Sequence, residues 1–222
     1  MQERVSGAER TREALLKAGL RLFGEKGFNA TSTRELAAAA GANIGSIAYH
    51  FGGKEGLHIA CAEYITVEIG GVAYQALGDV AADETMPASR DEARAMLVKG
   101  VGAMAGFITG RPEAAEIVQF VMRELMHPSA ALDLIYSRLF EPVHIRLCGL
   151  WAAATGEPAE SEEVKLAVFT MIGQLVYFRI GHEAVIRRMG WTETGPNQTR
   201  AIAQTAIGNL NAILDARGRA AQ

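Results

Sequence analysis

The sequence predicts an all-α protein, and three observations support this class. Alanine, leucine, glutamate, arginine and methionine recur with helical periodicity, and all five have high helix propensity. Runs of alternating β-branched residues, which are typical of strands, are absent from the sequence. Glycine or proline follows most of the periodic segments, where either residue ends a helix. Because 49% of the 222 residues are hydrophobic, the chain can also bury a substantial core.

The first predicted helix extends to about Lys26 and follows a mobile arm of residues 1–7. Ser6 and Glu9 have the spacing of a capping box, which satisfies free amide groups at the start of a helix. Gly27 ends this helix because glycine adopts the left-handed backbone conformation without strain.

Two short helices follow at about 32–40 and 44–51, joined by a tight turn. Ser32 and Glu35 form a second predicted capping box, and Gly41 ends the first short helix. Asn43 is predicted to cap the second, whose face opposite the core carries Ile44, Ser46, Tyr49 and His50. Two short helices in this arrangement are typical of a helix-turn-helix that enters the DNA major groove.

A longer helix is predicted from Lys54 to about Leu77, with Gly78 as its end and a bend at Gly70-Gly71. A polar loop at 79–91 separates it from the rest of the chain. The remaining helices are predicted at about 91–109, from Pro112 to His127, at 129–155 with a bend at Pro142, from Ser161 to Gly190, and at 197–217.

The charge distribution is consistent with an amino-terminal contact to nucleic acid. Residues 1–54 contain 8 Lys and Arg against 5 Asp and Glu, whereas residues 55–222 contain 14 against 20. A basic amino-terminal part on an acidic body suits a protein that presents one end to phosphate. Cys61 and Cys148 lack CxxC spacing, which indicates a reduced cytoplasmic protein without a disulfide framework. The apolar run from Leu166 to Phe178 is too short to cross a membrane.

At this point the chain resembles the TetR family of bacterial transcriptional regulators. The resemblance is specific over roughly residues 9–65, and beyond them it depends on the number and order of helices. With its Asn43-Ile44 pair, the chain resembles one subgroup of the family. In that subgroup, Asn-Ile starts the recognition helix where other members commonly have a polar residue followed by lysine. The chain departs from the family at Ala48, where an aromatic is usual. The matching residues are Thr31 to Arg34, Leu36, Ala37, Ala40, Gly41, Gly45, His50, Phe51 and Lys54, and upstream Leu15, Ala18, Leu22, Phe23, Gly27 and Phe28.

The resemblance implies an all-α protein of about nine helices with two domains. A helix-turn-helix DNA-binding domain would occupy residues 1–54, and a ligand-sensing and dimerisation domain residues 55–222. The implied function is a cytoplasmic repressor that binds a double-stranded, pseudo-palindromic operator as a homodimer. A small apolar effector would release it, and no cofactor, metal, membrane or enzymatic activity is expected.

The resemblance assigns phosphate contacts to Thr33, Tyr49, His50 and Lys54. Lys54 also begins a helix, where free amide groups attract an anion. Two alternatives stay open, because His50 could be a core residue beside Phe51 and Lys54 an ordinary solvated lysine.

Base contacts are predicted at the amino ends of the two short helices. Arg34 can bind guanine through two hydrogen bonds, and Ile44 can contact a thymine methyl group. The alternative for Arg34 is a salt bridge with Glu35 or Glu9. The predicted base readers are Arg34, Asn43, Ile44, Gly45 and Ser46.

The later helices are rich in methionine and aromatic residues, which fill irregular apolar space. They can form a plain core, but the resemblance implies that they enclose a small-molecule pocket. Histidines occur there without HxxxH spacing, so no metal site is expected. The predicted ligand contacts are Met104, Phe107, Phe120, Arg123, Met126, His127, His144 and Tyr177.

A homodimer is predicted through residues 161–217, which form two helices with broad apolar surfaces. Val168, Ile172, Leu175 and Val176 mark one such face, and burial within a single subunit is the alternative. Two further hypotheses compete with the ligand-responsive repressor. One is a DNA-binding dimer that senses no ligand or senses a protein, and the other is an all-α enzyme, for which no catalytic motif is present.

Overall fold

The computed structural model describes residues 7–79, 87–111 and 114–220, and every regular element within these ranges is helical. The predicted all-α class is therefore confirmed. The arm before residue 7, including the Ser6 cap, lies outside the described residues, as do Pro112 and most of the predicted loop.

The helices follow the predicted order, and the first four agree closely with their predicted bounds. They are α1 (Gly7–Lys26), α2 (Thr33–Ala39), α3 (Gly45–Phe51), α4 (Lys54–Leu77), α5 (Arg90–Gly110), α6 (Ala114–Met126), α7 (Ala130–Ile135), a π-helical turn (Tyr136–Phe140), α8 (Glu141–Thr155), α9 (Glu162–Ile180), α10 (His182–Met189) and α11 (Pro196–Ala220).

The helix predicted at 129–155 is interrupted before the proline that was expected to bend it. Ser129 caps its start as predicted, because its hydroxyl accepts a hydrogen bond from the Ala131 amide. The π-helical turn then separates α7 from α8, and Pro142 lies in the first turn of α8. Proline has no amide hydrogen, so the residues before it lose one helical hydrogen bond.

The single helix predicted from Ser161 to Gly190 is wrong, because the chain bends at Gly181. Helices α9 and α10 meet there at an angle of 78°. A β-carbon at Gly181 would lie 2.9 Å from Cζ of Tyr177 and 3.0 Å from its carbonyl oxygen, so a larger residue there would require the exposed Tyr177 ring to move. Within the described residues, no single helix has the length and hydropathy of a membrane span, and only α9 and α10 taken together reach them.

By packing, the chain divides into two compact units. The first consists of Met1–Glu68 and Ala115–Arg138, and the second of Ile69–Ala114 and Leu139–Gln222. Helices α6 and α7 therefore belong with the helix-turn-helix, although they follow it by many residues in the chain. The domain boundary predicted after Lys54 stays a prediction.

The core of the first unit places α1 behind the two short helices and against α6. Gly24 allows close approach, because a β-carbon there would lie 3.1 Å from the Phe120 amide nitrogen. Gly56 is required at the α3–α4 junction, where a β-carbon would lie 1.7 Å from the Phe51 carbonyl oxygen. The largest fully buried side chains of this unit include Leu15, Phe23, Leu36, Ile47, Leu57, Ile65, Phe120 and Ile135.

In the second unit, α5 packs against α8, α9 and α11. The buried Arg146 side chain donates a hydrogen bond of 3.1 Å to the Leu77 carbonyl at the end of α4, which has no partner within its own helix. Trp151 is fully buried and donates its indole N–H to Glu157 at 3.0 Å. Other fully buried side chains here are Leu97, Leu150 and Leu175.

Candidate nucleic-acid interface

The predicted capping box at the start of α2 is present. The Ser32 hydroxyl accepts a hydrogen bond from the Glu35 amide at 3.2 Å, and the Ser32 amide donates to the Glu35 carboxylate at 2.9 Å. Lys26, at the end of α1, lies 2.6 Å from the same carboxylate. Hydrogen bonds from Lys26 and Ser32 lower the pKa of Glu35 to about 2. The box therefore starts α2 and also ties it to α1.

This arrangement removes one alternative for Arg34. The Glu35 carboxylate is bonded to Lys26 and Ser32, and Arg34 is exposed on the neighbouring position of the first turn. Thr33, the other predicted contact in this turn, is half-buried. Both residues lie at the amino end of α2, where free amide groups favour an anion.

The turn between α2 and α3 differs from its prediction in one detail. Gly41 has a φ of +60°, the left-handed conformation expected for it. The residue at the N-cap position of α3 is Ile44 rather than Asn43, and it provides no side-chain cap. The Asn43 carboxamide oxygen instead accepts a hydrogen bond of 2.9 Å from the Gly45 amide. Asn43 thus stabilises the turn from the position before the N-cap residue Ile44.

The outer face of α3 combines polar groups with exposed apolar surface. Ile47 is buried and fixes the inner face, whereas Tyr49 is 81% exposed and Ile44 is 51% exposed. The rings of Tyr49 and His50 are 4.8 Å apart in an edge-on arrangement. Gly45 is exposed, while Ser46 and His50 are half-buried. All of these predicted contacts therefore lie on α3 or directly before it.

Lys54 starts α4 close to this face. Its ammonium nitrogen is 4.2 Å from the centroid of the Phe28 ring, in a cation–π contact. The side chain is half-buried, so it is held more firmly than a freely solvated lysine. An ammonium has three N–H donors and can still bind a phosphate while it contacts a ring.

Two features, neither with a predicted structural role, hold the helix-turn-helix in place. The first is Thr31, whose buried hydroxyl bonds to the carbonyl of Gly27 at 2.8 Å and to that of Leu22 at 3.1 Å. It closes the loop between α1 and α2. Only the backbone conformation brings these groups together, so no local spacing in the sequence indicates the contact.

The second is a buried contact between His58 of α4 and Glu124 of α6. Nε2 of His58 lies 3.0 Å from Oε1 of Glu124, and both side chains are nearly inaccessible to solvent. Burial raises the pKa of Glu124, but hydrogen bonds from His58 and Ser129 outweigh it, so the pKa is lowered. The imidazole is surrounded by aromatic rings, with centroids 4.8–5.1 Å away, of Phe23, Phe28 and Phe120.

Arg123 strengthens the same connection between α6 and α1. Its guanidinium donates to the Glu25 carbonyl at 2.6 Å and to the Gly24 carbonyl at 3.5 Å. These carbonyls lie in the last turn of α1, where helical partners are missing. Arg123 was predicted as a ligand contact, which stays a prediction, and in the structure two of its five N–H donors bond to the backbone of α1.

The predicted ligand contacts are divided between the two units. Those in the first unit are Phe120, which is buried, Arg123, and the exposed Met126 and His127. Those in the second unit are Met104, Phe107, His144 and Tyr177. Their common participation in one pocket stays a prediction.

A half-open pocket of about 400 Å³ lies between α9 and α11 of the second unit. It contains none of the predicted ligand contacts, and Trp151 and Arg217 line it together with residues of α9 and α11. Arg217 lies 5.7 Å from the Trp151 ring centroid and is paired with Glu157 at 2.9 Å. Within the described ranges, no group of three metal-ligating side chains is found.

Two family matches cover most of the chain. Residues 15–61 match the family described as bacterial regulatory proteins, tetR family, and residues 93–217 match the C-terminal domain of the HTH-type transcriptional dual regulator CecR. CecR of Shigella flexneri is 35% identical over 208 residues, which are 93% of this chain and 92% of CecR. The HTH-type transcriptional repressor NicS of Pseudomonas putida is 37% identical over 70 residues, covering 29% of this chain and 33% of NicS.

Solved structures share the same fold at low identity. A TetR-like transcriptional regulator from Rhodococcus sp. RHA1 superposes with a TM-score of 0.62 at 19% identity, covering 99% of this chain and 100% of that one. A putative transcriptional regulator from Pseudomonas aeruginosa PAO1 gives 0.61 at 19% identity, covering 99% and 97%. These structural similarities support the fold, in which an amino-terminal helix-turn-helix is followed by a larger helical region.

Proposed function

The chain belongs to the TetR family of bacterial transcriptional regulators, and we propose that it is a dimeric, effector-released repressor. The family and the relatives are DNA-binding regulators and not enzymes. In this proposal, two α3 helices of a cytoplasmic homodimer read the half-sites of a pseudo-palindromic operator about one DNA turn apart. The observation that carries it is the outer face of α3, where an almost fully exposed tyrosine stands beside hydrogen-bonding groups.

The proposed contacts follow from this face. Thr33, Tyr49, His50 and Lys54 hold phosphates and fix the register, since such contacts carry no sequence information. Base reading falls to the residues at the amino ends of α2 and α3, where Arg34 and Ile44 are exposed. The remaining base readers are Asn43, Gly45 and Ser46.

Dimerisation through residues 161–217 is supported by an exposed apolar stripe on α9. Phe169 is 60% exposed in the single chain, and Leu166, Tyr177 and Ile180 are exposed to a similar degree on the same face. Val168 and Leu175, named from the sequence for this role, are completely buried and pack within the subunit. The interface is therefore proposed on the opposite face of α9, together with the small residues exposed on α11.

In this proposal, α6 transmits the change that an effector causes to the DNA-binding helices. Helix α6 carries Phe120, Arg123 and Met126, with His127 directly after it, and it is bonded to α1 and α4 within one unit. A ligand that displaces α6 would therefore disturb helices next to α2 and α3. The ligand shifts the protein only as far as it binds the released conformation more tightly. A coupling of about 1–3 kcal/mol would weaken DNA binding about 5–150-fold.

The test is selection of bound DNA from a random pool, followed by a screen of apolar compounds against the selected site. The proposal expects a two-fold symmetric site and at least one compound that lowers its affinity. A symmetric site without any responsive compound would favour the alternative, a DNA-binding dimer that senses no ligand or a protein partner. A pool that yields no enriched site would overturn the proposal. Because CecR is named a dual regulator, a reporter assay should compare repression with activation.

A further inference from the structure

An arginine continues the core-facing stripe of α9. The buried residues of this helix recur at helical spacing, and they are Val164, Val168, Met171 and Leu175. Arg179 comes four residues after Leu175, so it lies on the same face, since residues four apart are neighbours on a helix. The exposed stripe with Phe169 and Tyr177 lies on the opposite face. Arg179 is half-buried and stands on the side of α9 that packs within the second unit.

The side chain of Arg179 differs from those of the other arginines of this unit that are not fully exposed. Arg146 donates to a backbone carbonyl, and Arg94 and Arg217 donate to carboxylates. Within the described ranges, no carboxylate or carbonyl bonds to the guanidinium of Arg179, and burial lowers its pKa from the ordinary value. A guanidinium stays protonated in proteins, so the charge is retained. An unpaired, half-buried charge is unfavourable and is a candidate for ligand binding.

The packing of α11 against α9 defines the level at which this arginine lies. Near the end of α11, Arg217 pairs at 2.9 Å with Glu157, which precedes α9. Farther along, the Asn209 carboxamide donates to that of Gln174 at 3.2 Å. The two helices are therefore antiparallel. Arg179 lies one to two turns beyond Gln174, at the level of the α11 residues that precede Asn209.

Helix α5 is also antiparallel to α11. A β-carbon at Gly102 would lie 4.0 Å from Cδ1 of Ile207. Toward the end of α5, the Thr109 hydroxyl donates to that of Thr199 at 3.1 Å. The segment of α5 between these two contacts therefore lies at the level of the arginine on α9.

This segment of α5 contains two of the predicted ligand contacts, Met104 and Phe107. Phe107 is buried and Met104 is half-buried. On α9 itself, Leu175 and Val176 precede Arg179 by one turn and are also apolar. A single cation among apolar side chains is suited to a ligand that has an apolar body and one polar group.

The guanidinium indicates which polar group this would be. Its planar N–H donors bind a carboxylate through two parallel hydrogen bonds. A carboxylate carries one negative charge, which balances the one positive charge of the arginine. A phosphate monoester carries nearly two negative charges and would leave one of them unbalanced among apolar groups. The geometry therefore favours a monocarboxylic acid.

We propose that Arg179 binds the carboxylate of the effector, and that the effector is an apolar monocarboxylic acid. The apolar part of the acid packs against α5 at Met104 and Phe107. This inference rests on the proposed function and names the chemical class of its effector. Binding gives the unpaired guanidinium a counter-ion, so the acid stabilises the conformation in which this contact is made.

The experiment compares acids with neutral compounds of the same shape. Calorimetric titration measures the binding of octanoate, decanoate and naphthylacetate, and of the primary alcohol that corresponds to each acid. At least one acid should bind wild type about 10-fold or more tightly than its alcohol, because the acid adds hydrogen bonds to a charged group. Arg179→Gln should remove this preference, and Arg179→Lys, which keeps the charge, should retain part of it. Arg90→Gln is the matched control, since Arg90 is exposed at the opposite end of α5, and it should leave the preference unchanged.

Thermal unfolding without ligand separates a ligand-binding arginine from a structural one. Arg179→Met should raise the unfolding midpoint by about 2–4 °C, because it removes an unpaired, half-buried charge and keeps an unbranched side chain. Arg146→Met should lower the midpoint, because the Leu77 carbonyl loses its donor. A lower midpoint in Arg179→Met would show that Arg179 holds the fold together, and it would overturn the carboxylate site.

The outcomes distinguish this inference from the proposed repressor. If no acid binds, if acids and alcohols bind equally, or if the preference for acids survives Arg179→Gln, the carboxylate site is overturned. Release of operator DNA by neutral apolar compounds would then still support the proposed function. If an acid binds through Arg179 and the operator affinity does not change, the carboxylate site stands and release by this effector fails.

Discussion

The two units expose their apolar groups in different surroundings. The first unit buries His58 against the Glu124 carboxylate and exposes a short face of mixed chemistry on α3. The second unit has a mainly apolar core and exposes a long apolar stripe on α9. Isolated exposed apolar groups among hydrogen-bonding ones suit DNA, whereas a continuous stripe suits a protein partner. The residues around an exposed apolar side chain therefore indicate the kind of partner it binds better than its exposed fraction does.

The largest expected effect concerns the buried charge of the first unit. Glu124→Ala should lower the free energy of unfolding by about 2–4 kcal/mol, because the buried His58 imidazole and the Ser129 hydroxyl both lose the carboxylate that they contact. Glu63→Ala is the matched control, since Glu63 is exposed and lies 3.9 Å from Arg138, and it should cost less than about 1 kcal/mol. Urea unfolding measures both. Equal losses would show that the buried pair has no special role.

The same carboxylate predicts a dependence of stability on pH. The pKa of Glu124 is lower in the folded chain than its ordinary value of 4.5, so the charged form is favoured by folding. Its contribution is complete above the unfolded pKa and is lost as pH falls through the folded one. The stability difference between wild type and Glu124→Gln should therefore narrow below about pH 4.5. Urea titrations at several pH values would contradict this if the difference stayed constant.

A charge introduced on the exposed stripe of α9 should weaken the dimer of the second unit and leave its free energy of unfolding nearly unchanged. Phe169→Glu should weaken the dimer by about 2–4 kcal/mol, since central aromatic residues contribute most to interfaces. Tyr74→Glu is the control, because Tyr74 is equally exposed on α4 and lies outside the stripe. Sedimentation measures the dimer, and unfolding should change little. If Tyr74→Glu weakens the dimer and Phe169→Glu does not, the interface lies on α4 instead of α9.

The sequence predicted the features that depend on neighbouring residues. The Ser32–Glu35 box and the glycines ending α2 and α4 are local, because their partners lie within one helical turn. The His58–Glu124 pair and the Arg123 contacts join distant segments, and no spacing indicates them. The bend at Gly181 was missed for a related reason. Glycine within an apolar helix is compatible with continuation, so the residue type alone does not indicate the bend between α9 and α10.

A smaller effect is expected from the local cap of α2. Ser32→Ala should lower the free energy of unfolding by about 1 kcal/mol, because the Glu35 amide loses its acceptor. Ser137→Ala is a control, since the Ser137 hydroxyl donates to helix carbonyls and caps no amide. DNA affinity should fall more in the Ser32 variant than in the control, because α2 positions α3. If Ser32→Ala changes neither the free energy of unfolding nor the DNA affinity, the capping box stabilises neither α2 nor the DNA-binding surface.

The smallest expected effect tests how the mixed face of the first unit holds DNA. Lys54→Met keeps an unbranched side chain against Phe28 and removes the charge that a phosphate would bind. Affinity should fall by a similar factor for the selected operator and for random DNA, because a phosphate contact is blind to sequence. The slope of log affinity against log salt should decrease by about 0.9 for each phosphate that the protein no longer binds. Arg34→Ala gives the contrast, since loss of a base reader should reduce the preference for one base by about 1–3 kcal/mol. If Lys54→Met changes the sequence preference while the salt slope stays constant, Lys54 contacts a base rather than a phosphate. The assignment of residues to phosphate contacts and base contacts would then be wrong.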